Sequence, residues 1–548
     1  MVVSTVKQLE STYLLWKRFS FSTEKRSWDA VAVPAGVGDR LNSAFTVILS
    51  IILVQFWTIV LSLILYLALR RLNNDTSKLD PLAVVLWNKR GDLADSAIEM
   101  IGFDRKGWAR PWLLVSLFLA LVAGVAKIAT TIVVAPLIIL NHAAPVNPMA
   151  VYAPDENIMN NQITASRFAL EAPRFFRALS SVEVDKTLRQ KVIVSSAERL
   201  GQADNGEDIL RVDYSYGATG ADLGIQKYFD LTYNATGSCV TDYGWFQRST
   251  QLPINPPATV DIYNTPNGLV NPSLFDGRQP SATFELGPPI RGALDGSNST
   301  WWAIVSSVDR KSFSVGTDPW YLTEAGTNLD ITGPQNVVRP GRPALSCWQD
   351  NVWSYHGHTS TSANLTSNAL PGLNLPEPLQ QILLQYLGSP IIALAGSRLQ
   401  NSALLSTTTS LEQIFDAGAS SFHADLERLV QVAYVATVNC LTDTTLYPSN
   451  AGGSVNNALI GNSGVVPADV RYVVWSPDVA TLSTLILIVI PTIFVSIWLV
   501  SLGLVYWTPV KIVAQINSSS LQDQLKENSP MAVVPNEAEE AIKQAEIE

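Results

Sequence analysis

Ala44–Leu69 reads AFTVILSIILVQFWTIVLSLILYLAL. It carries no charge, and at about 1.5 Å of helix per residue it is long enough to cross roughly 30 Å of bilayer hydrocarbon. Arg70 and Arg71 follow at once, as interfacial anchors would. A second apolar stretch, 111–140, is interrupted by Lys127 and Pro136. A third, 479–507, is uncharged and holds Pro491, which should kink it. Uncharged runs this long exceed what a buried core helix needs. They are expected as about three transmembrane helices, at 44–69, 111–140 and 479–507. Lys127 then either faces other helices or marks where its span ends.

Between the second and third stretches lie residues 142–477, a polar region punctuated by glycine and proline. It holds 19 Lys+Arg against 29 Asp+Glu, so the whole chain's net charge of −10 resides there. An acidic domain without a basic run lacks the positive footprint that nucleic acid requires, and nucleic acid is excluded as a partner. Only 15% of the 548 residues are charged and 47% are apolar, a balance in keeping with a partner that is a lipid bilayer.

Outward from the spans, residues 1–43 form an N-terminal arm. Val3, Val6, Leu9, Tyr13 and Trp16 recur at near-helical spacing and suggest a short interfacial helix, against a plain solvated arm. The segment 70–110 carries Arg70, Arg71, Lys78, Lys89, Arg90, Arg105, Lys106 and Arg110 around an amphipathic pattern, which assigns it to the cytosol. The arm and the 142–477 domain then lie on the lumenal or extracellular side of a secretory-pathway membrane. Three sequons, at Asn234, Asn298 and Asn364, agree and are expected to be glycosylated. The tail 508–548 is polar with an acidic end, and reads as disordered and cytosolic. Within 142–477, residues 144–154 read as a proline-marked linker and helical patterning surrounds 165–179. Short β-type runs follow from about Ile209, and helices return near Pro376 and within 411–441. The domain is expected to be α+β with a β-rich middle.

The three cysteines, Cys239, Cys347 and Cys440, all lie in this domain. Cys239 and Cys347 both fall in the β-rich middle and are expected to pair in an oxidising lumen. Cys440 is then buried in a helix, paired between chains, or a nucleophile without a base nearby in sequence. His356-Gly-His358 is the one metal-like spacing, but no third ligand can be assigned, so a loop pair is expected and no metal. His423-Ala-Asp425 reads as helix surface rather than a dyad. Gly461-Asn-Ser-Gly464 lacks the nucleophile-elbow pattern, there is no phosphate-binding or dinucleotide motif, and no cofactor is expected.

Trp301, Trp302, Trp320, Trp348, Trp353 and Tyr355 crowd the β-rich middle. Such rings could line a site for a hydrophobic small molecule, or form the sheet core around the disulfide.

The span LNSAFTVILSIILVQFWTIVLSLILYLALRR, the following DPLAVVLWNKRGDLADSA and the motif SCWQDNVWSYHG together resemble a group of multi-pass membrane proteins of filamentous fungi. The resemblance covers the whole layout through motifs of low specificity. Some members are encoded in secondary-metabolite gene clusters for polyketide–amino acid hybrids. It therefore implies an auxiliary biosynthetic protein whose ectodomain binds a hydrophobic intermediate, alone or with another membrane protein of the pathway. If that protein is an enzyme, its activity is a cofactor-independent cyclisation, and the resemblance supplies no catalytic residue. The alternative is a glycosylated cell-surface or endomembrane structural or sensor protein, which would present an exposed aromatic patch rather than a cavity.

Overall fold

The structure is a computed structural model describing residues 10–23, 26–71, 125, 138–155, 161–253, 258–270, 281–288, 298–326, 336–362, 364–410, 414–447, 455–459 and 472–507. The chain divides into two compact units, 33–142 with 477–548, and 1–32 with 143–476.

The first of these is built on apolar helix. Helix α1 (Ala35–Arg71) begins nine residues before the expected span. Thr484–Trp507 forms the other long helix, with Pro491 inside it. Two helices among the described residues, Ala35–Leu63 and Thr484–Leu504, are long and apolar enough to cross a membrane. Large apolar side chains such as Val47, Phe56, Leu485 and Leu499 stay exposed along them. The hydroxyls of Thr46, Ser50, Thr58 and Ser62 donate to carbonyls one turn back, which meets their hydrogen-bonding need without water. The two helices are joined by Ser501 Oγ, which donates to Gln55 Oε1 at 2.6 Å. A Cβ at Gly38 would stand 2.4 Å from that of Ala480, so glycine permits this close approach.

One expectation changes here, and others fall on residues that are not described. The stretch 479–507 is not helix throughout, because Val479–Ser483 is a buried strand paired with Ile139–Asn141. The stretch 111–140 falls outside the described residues except for Val125 and 138–140, and 139–140 are strand. The segment 72–110 and the tail 508–548 also lie outside the described residues.

The second unit contains the arm and the polar domain. The expected interfacial helix falls in part on residues 1–9, outside the described residues; residues 10–12 are helical, and the helix does not continue through Tyr13 and Trp16. Strands β1 (Arg18–Ser22) and β2 (Ser27–Pro34) pair as a hairpin, Tyr13 bridges Val146, and Trp16 takes a positive φ of 63°. The expected linker is likewise structured: Ala143–Pro145 pairs with Val473–Trp475, and Tyr152–Pro154 with Val455–Asn457. Valine and alanine in these short runs bury on pairing, which a solvated linker would forgo.

The centre is an antiparallel sheet. Its strands are β3 (Val192–Val194), β4 (Glu198–Gln202), β5 (Asp208–Thr219), β6 (Thr232–Asp242), β10 (Ser281–Leu286), β11 (Asn298–Ser306), β12 (Ala344–Tyr355) and β13 (His358–Thr361). Their order is β10-β11-β12-β6-β5-β3, with β13 on β12 and β4 on β5. A smaller sheet of β7 (Phe246–Leu252), β8 (Ala258–Thr265) and β9 (Gly268–Val270) interrupts the sequence between β6 and β10.

Alternation along the strands separates two faces. On the inner face Val212, Tyr214 and Tyr216 of β5, Tyr233, Ala235 and Cys239 of β6, and Cys347 and Trp353 of β12 are all buried. This face is covered by α2 (Asn161–Val184), α3 (Glu377–Leu387), α4 (Ile391–Leu399) and α5 (Phe422–Val438), whose apolar stripes supply Leu383, Ile392 and Leu429 among others. Helix α5 is capped by Ser421, whose side chain accepts from Ala424 N. Gly237 serves the packing, since a Cβ there would lie 2.3 Å from the Tyr214 ring. Tyr214 can therefore cross the sheet, donate to Gln349 at 2.9 Å and accept from Trp301 Nε1 at 3.1 Å.

Candidate functional site: the open face of the central sheet

The outer face differs in kind. By register, Asp213, Ser238, Trp348 and Thr300 lie side by side across β5, β6, β12 and β11. The next row holds Ser215, Thr236 and Asp350, and the next Gly217, Asn234 and Val352. Short polar side chains dominate, and one large ring stands among them: Trp348, 41% exposed. Arg211 Nε and an Nη donate to both Asp213 oxygens at 2.9 and 3.0 Å, and Nε also reaches Ser238 Oγ at 3.1 Å. The Ser238 hydroxyl, and after it the Arg211 guanidinium, hold the Asp213 carboxyl below its ordinary range.

At one end of this face is an open trough of ≈ 840 Å³. Trp348, Thr300 and Ser346 line its floor, and the turns carrying Asp204 and Asn205, and Asp242 to Gly244, line its walls. No lysine or arginine is among the lining residues. Local chemistry fixes both turns. Asn205 Oδ1 accepts from Glu207 N at 3.0 Å, with Gly206 at φ +80°, and Asp242 Oδ1 accepts from Gly244 N at 2.8 Å. Behind the first turn, the buried Arg342 grips Glu207 with two donors at 2.9 and 3.1 Å. Tyr243 is pushed up by burial and by the Glu207 charge.

The six aromatic residues expected around a hydrophobic ligand do not share a pocket. Trp301, Trp302, Trp320 and Trp353 are at most 1% exposed, and Tyr355 is buried too. Trp302 lies on the outer face but is covered by the smaller sheet, through Tyr263 and the edge of Trp245 at 6.0 Å. Trp353 packs on Tyr233 at 5.0 Å, Trp320 on Phe422 at 6.1 Å, and Trp320 Nε1 donates to the Pro343 carbonyl at 3.1 Å. Fully enclosed rings cannot touch a ligand, so as ligand-binding residues these five are corrected to core. The signal that singles out Trp348 is its neighbour: with Cys347 facing the core, the next residue of a strand must face away.

Cys239 and Cys347 form the disulfide. Asn234 is exposed on the outer face, Asn364 is exposed on a turn and accepts from Thr366 Oγ1 at 2.9 Å, and Asn298 opens β11 across from Asp350. His356 and Gly357 are the two central residues of the β12–β13 turn, both at positive φ, so the two histidines flank a bend instead of sharing a strand face. His356 Nε2 lies 3.0 Å from Asp230, and no group of three or more potential metal ligands occurs among the described residues. His423 meets the Ser195 carbonyl at 2.7 Å and not Asp425. Asp425 is fully buried, accepting from the Tyr321 hydroxyl and Leu405 N, both at 2.5 Å. Cys440 is buried and its thiol is pushed up to about 12, which removes it as a nucleophile. The residues 461–464 lie outside the described residues. Sequence reasoning missed Asp204, Asn205, Asp242 and Tyr243, which carry only turn signals and meet at the trough because β4–β5 and β6–β7 end on the same side.

No curated protein and no solved structure matches this chain. One family model does, described as a domain of unknown function, DUF8406, over residues 172–474. The match covers more than half of the 548 residues and falls wholly within the polar domain. The chain belongs to the DUF8406 family.

Proposed function

We propose that this protein is a membrane-anchored binding protein whose polar domain meets its ligand through the open sheet face, outside the cytosol. The observation that carries the reading is Trp348, left 41% exposed on a polar face while the neighbouring tryptophans are enclosed. A ring exposed among short polar groups pairs an apolar face with nearby hydrogen-bonding groups, a combination useful in recognition. The hydrophobic site implied by the fungal resemblance loses most of its expected lining to the core, which favours the surface alternative.

Connectivity and charge support one membrane arrangement. The arm, residues 10–32, folds with the polar domain: Leu14 N donates to the Pro145 carbonyl and Asn147 N to that of Thr12, both at 2.8 Å. Arm and domain are therefore on one side of the bilayer. A chain leaving the arm through α1 must cross back before residue 143, and the stretch 111–140 is the apolar sequence available for the return. The basic segment between the crossings takes the cytosolic side, which places the domain in the lumen or outside the cell. The sequons at Asn234, Asn298 and Asn364 are then available for glycosylation.

Small-molecule profiling of cells with and without the gene tests the reading. An unchanged profile, in cells that express the protein, is expected. Accumulation of an uncyclised or shunt compound on deletion would overturn it in favour of the biosynthetic role.

A further inference from the structure

We propose that the trough beside Trp348 is a saccharide site that takes an uncharged oligosaccharide from outside the protein. The inference rests on the reading above and names the class of ligand. Four observations lead to it. The exposed Trp348 indole offers a flat apolar surface on the open face, suited to the C–H face of a pyranose ring. Around it Asn205, Asp204, Asp242, Tyr243 and Thr300 present both donors and acceptors, the inventory that a ring of hydroxyls needs. The lining holds two carboxylates and no cation, which disfavours uronates, sulfated glycans and nucleic acid. The site is stiff: its floor is a sheet interior, the Cys239–Cys347 disulfide crosses beneath, and Arg342 fixes the Glu207 turn.

Other ligand classes fit less well. A hydrophobic small molecule requires an enclosed site, and this trough is open. A stable protein partner requires about 800 Å² per side around an apolar centre with aromatic anchors, whereas the trough is a concave site walled by the polar turns of Asp204, Asn205 and Asp242. The protein's own glycan is the remaining saccharide source. Asn234 is on the same face, four residues along β6 from Ser238, the register partner of Trp348, or about 13 Å at strand rise. The acid-lined trough is at the opposite side of Trp348 from Asn234, which favours an external chain.

The test uses the full-length protein in detergent or nanodiscs. It is titrated calorimetrically with oligomers of N-acetylglucosamine, β-linked glucose and mannose, with oligogalacturonate as the acidic control. Saturable binding of at least one neutral oligomer, insensitive to salt, is expected. Trp348→Ala should weaken it by about tenfold or more, the order for a lost stacking ring, and Trp348→Phe should retain most of it. Near-ultraviolet circular dichroism confirms that each variant folds.

Binding of the acidic oligomer alone, or of none, overturns the proposal. Binding that emerges only in Asn234→Gln means that the chain's own glycan fills the site, and overturns the external source. Cell-surface retention of the labelled protein separates the two readings. If no oligosaccharide binds and Trp348→Ala still abolishes retention, the open-face reading stands and the saccharide assignment falls. If Trp348→Ala changes neither, both fall.

Discussion

Cys239 and Cys347 face each other across β6 and β12 with their Cα atoms 4.1 Å apart, on the side of the sheet that the helices cover. One residue further, Ser238 and Trp348 pair on the opposite, open side. The disulfide thus joins the two strands that carry the exposed ring, and closes a loop across 108 positions of sequence. Replacing both cysteines by alanine should lower stability by about 2–5 kcal/mol, as for other long-loop disulfides. Denaturant unfolding of the polar domain, oxidised against reduced, measures this. An unchanged midpoint would mean that the bond adds nothing to the sheet.

Gly237→Ala is expected to be costlier than a surface glycine replacement. The new Cβ would meet the Tyr214 ring at 2.3 Å and the Trp348 carbonyl at 2.6 Å. Tyr214 must then swing away from Gln349 and Trp301, leaving buried polar atoms unpaired. Overpacking of this kind costs about 1–3 kcal/mol. Gly206→Ala, at an open turn with nothing near the added Cβ, serves as the comparison: it meets only backbone strain.

Stability should fall as pH rises from about 4 to about 7. Burial raises the carboxyl of Asp318 to about 7 and that of Asp425 to about 6, against 3.8 unfolded. The folded state therefore binds these protons more tightly than the unfolded state. The contribution is full below pH 3.8 and is lost as pH passes the folded values. Thermal unfolding between pH 4.5 and 8, where few other groups titrate, reads the slope, and Asp318→Asn should flatten it. The same variant should lower the midpoint at acid pH, since Asp318 accepts from both Trp320 N and Phe422 N through different oxygens.

Cys440 should resist alkylation in the folded protein. It is fully buried, with its thiol raised to about 12, so thiolate is scarce and access is closed. Mass spectrometry after iodoacetamide treatment should show modification only in denaturant. Modification under native conditions would contradict the burial of Cys440.

Arg342→Lys should loosen the trough without unfolding the domain. Lysine keeps the charge near Glu207 but cannot make the two-pronged contact at 2.9 and 3.1 Å. Faster hydrogen exchange confined to 203–207 is the expected result. Unaltered exchange there would show that the Asn205–Gly206 turn holds itself.

Several features were legible in the residues alone because they are local. Length and lack of charge mark Ala44–Leu69 and most of 484–507 as apolar helices, since spanning length is a property of one contiguous segment. β-type runs such as 208–219 and 298–306 declare strands. Tyr13 and Trp16 satisfy helical spacing, yet Tyr13 bridges Val146 and the chain beyond Trp16 pairs as β1 and β2, a competing burial that spacing alone does not announce. The start of 479–507 was misread for the same reason: an apolar run can be strand or helix, and Ile139–Asn141 supplies a strand partner.

Thus sequence by itself determined the apolar helices near both ends, the acidic α+β domain between them and the Cys239–Cys347 pair, because each follows from composition, periodicity or count. The tertiary structure alone decided which aromatic rings are core and which is surface. Burial depends on the layer laid over each sheet face. The small sheet covers Trp302, the helices cover Trp301 and Trp353, and Trp348 is left 41% exposed among the described residues. Turns more than a hundred residues from it in sequence complete its surroundings, and only folding brings them there.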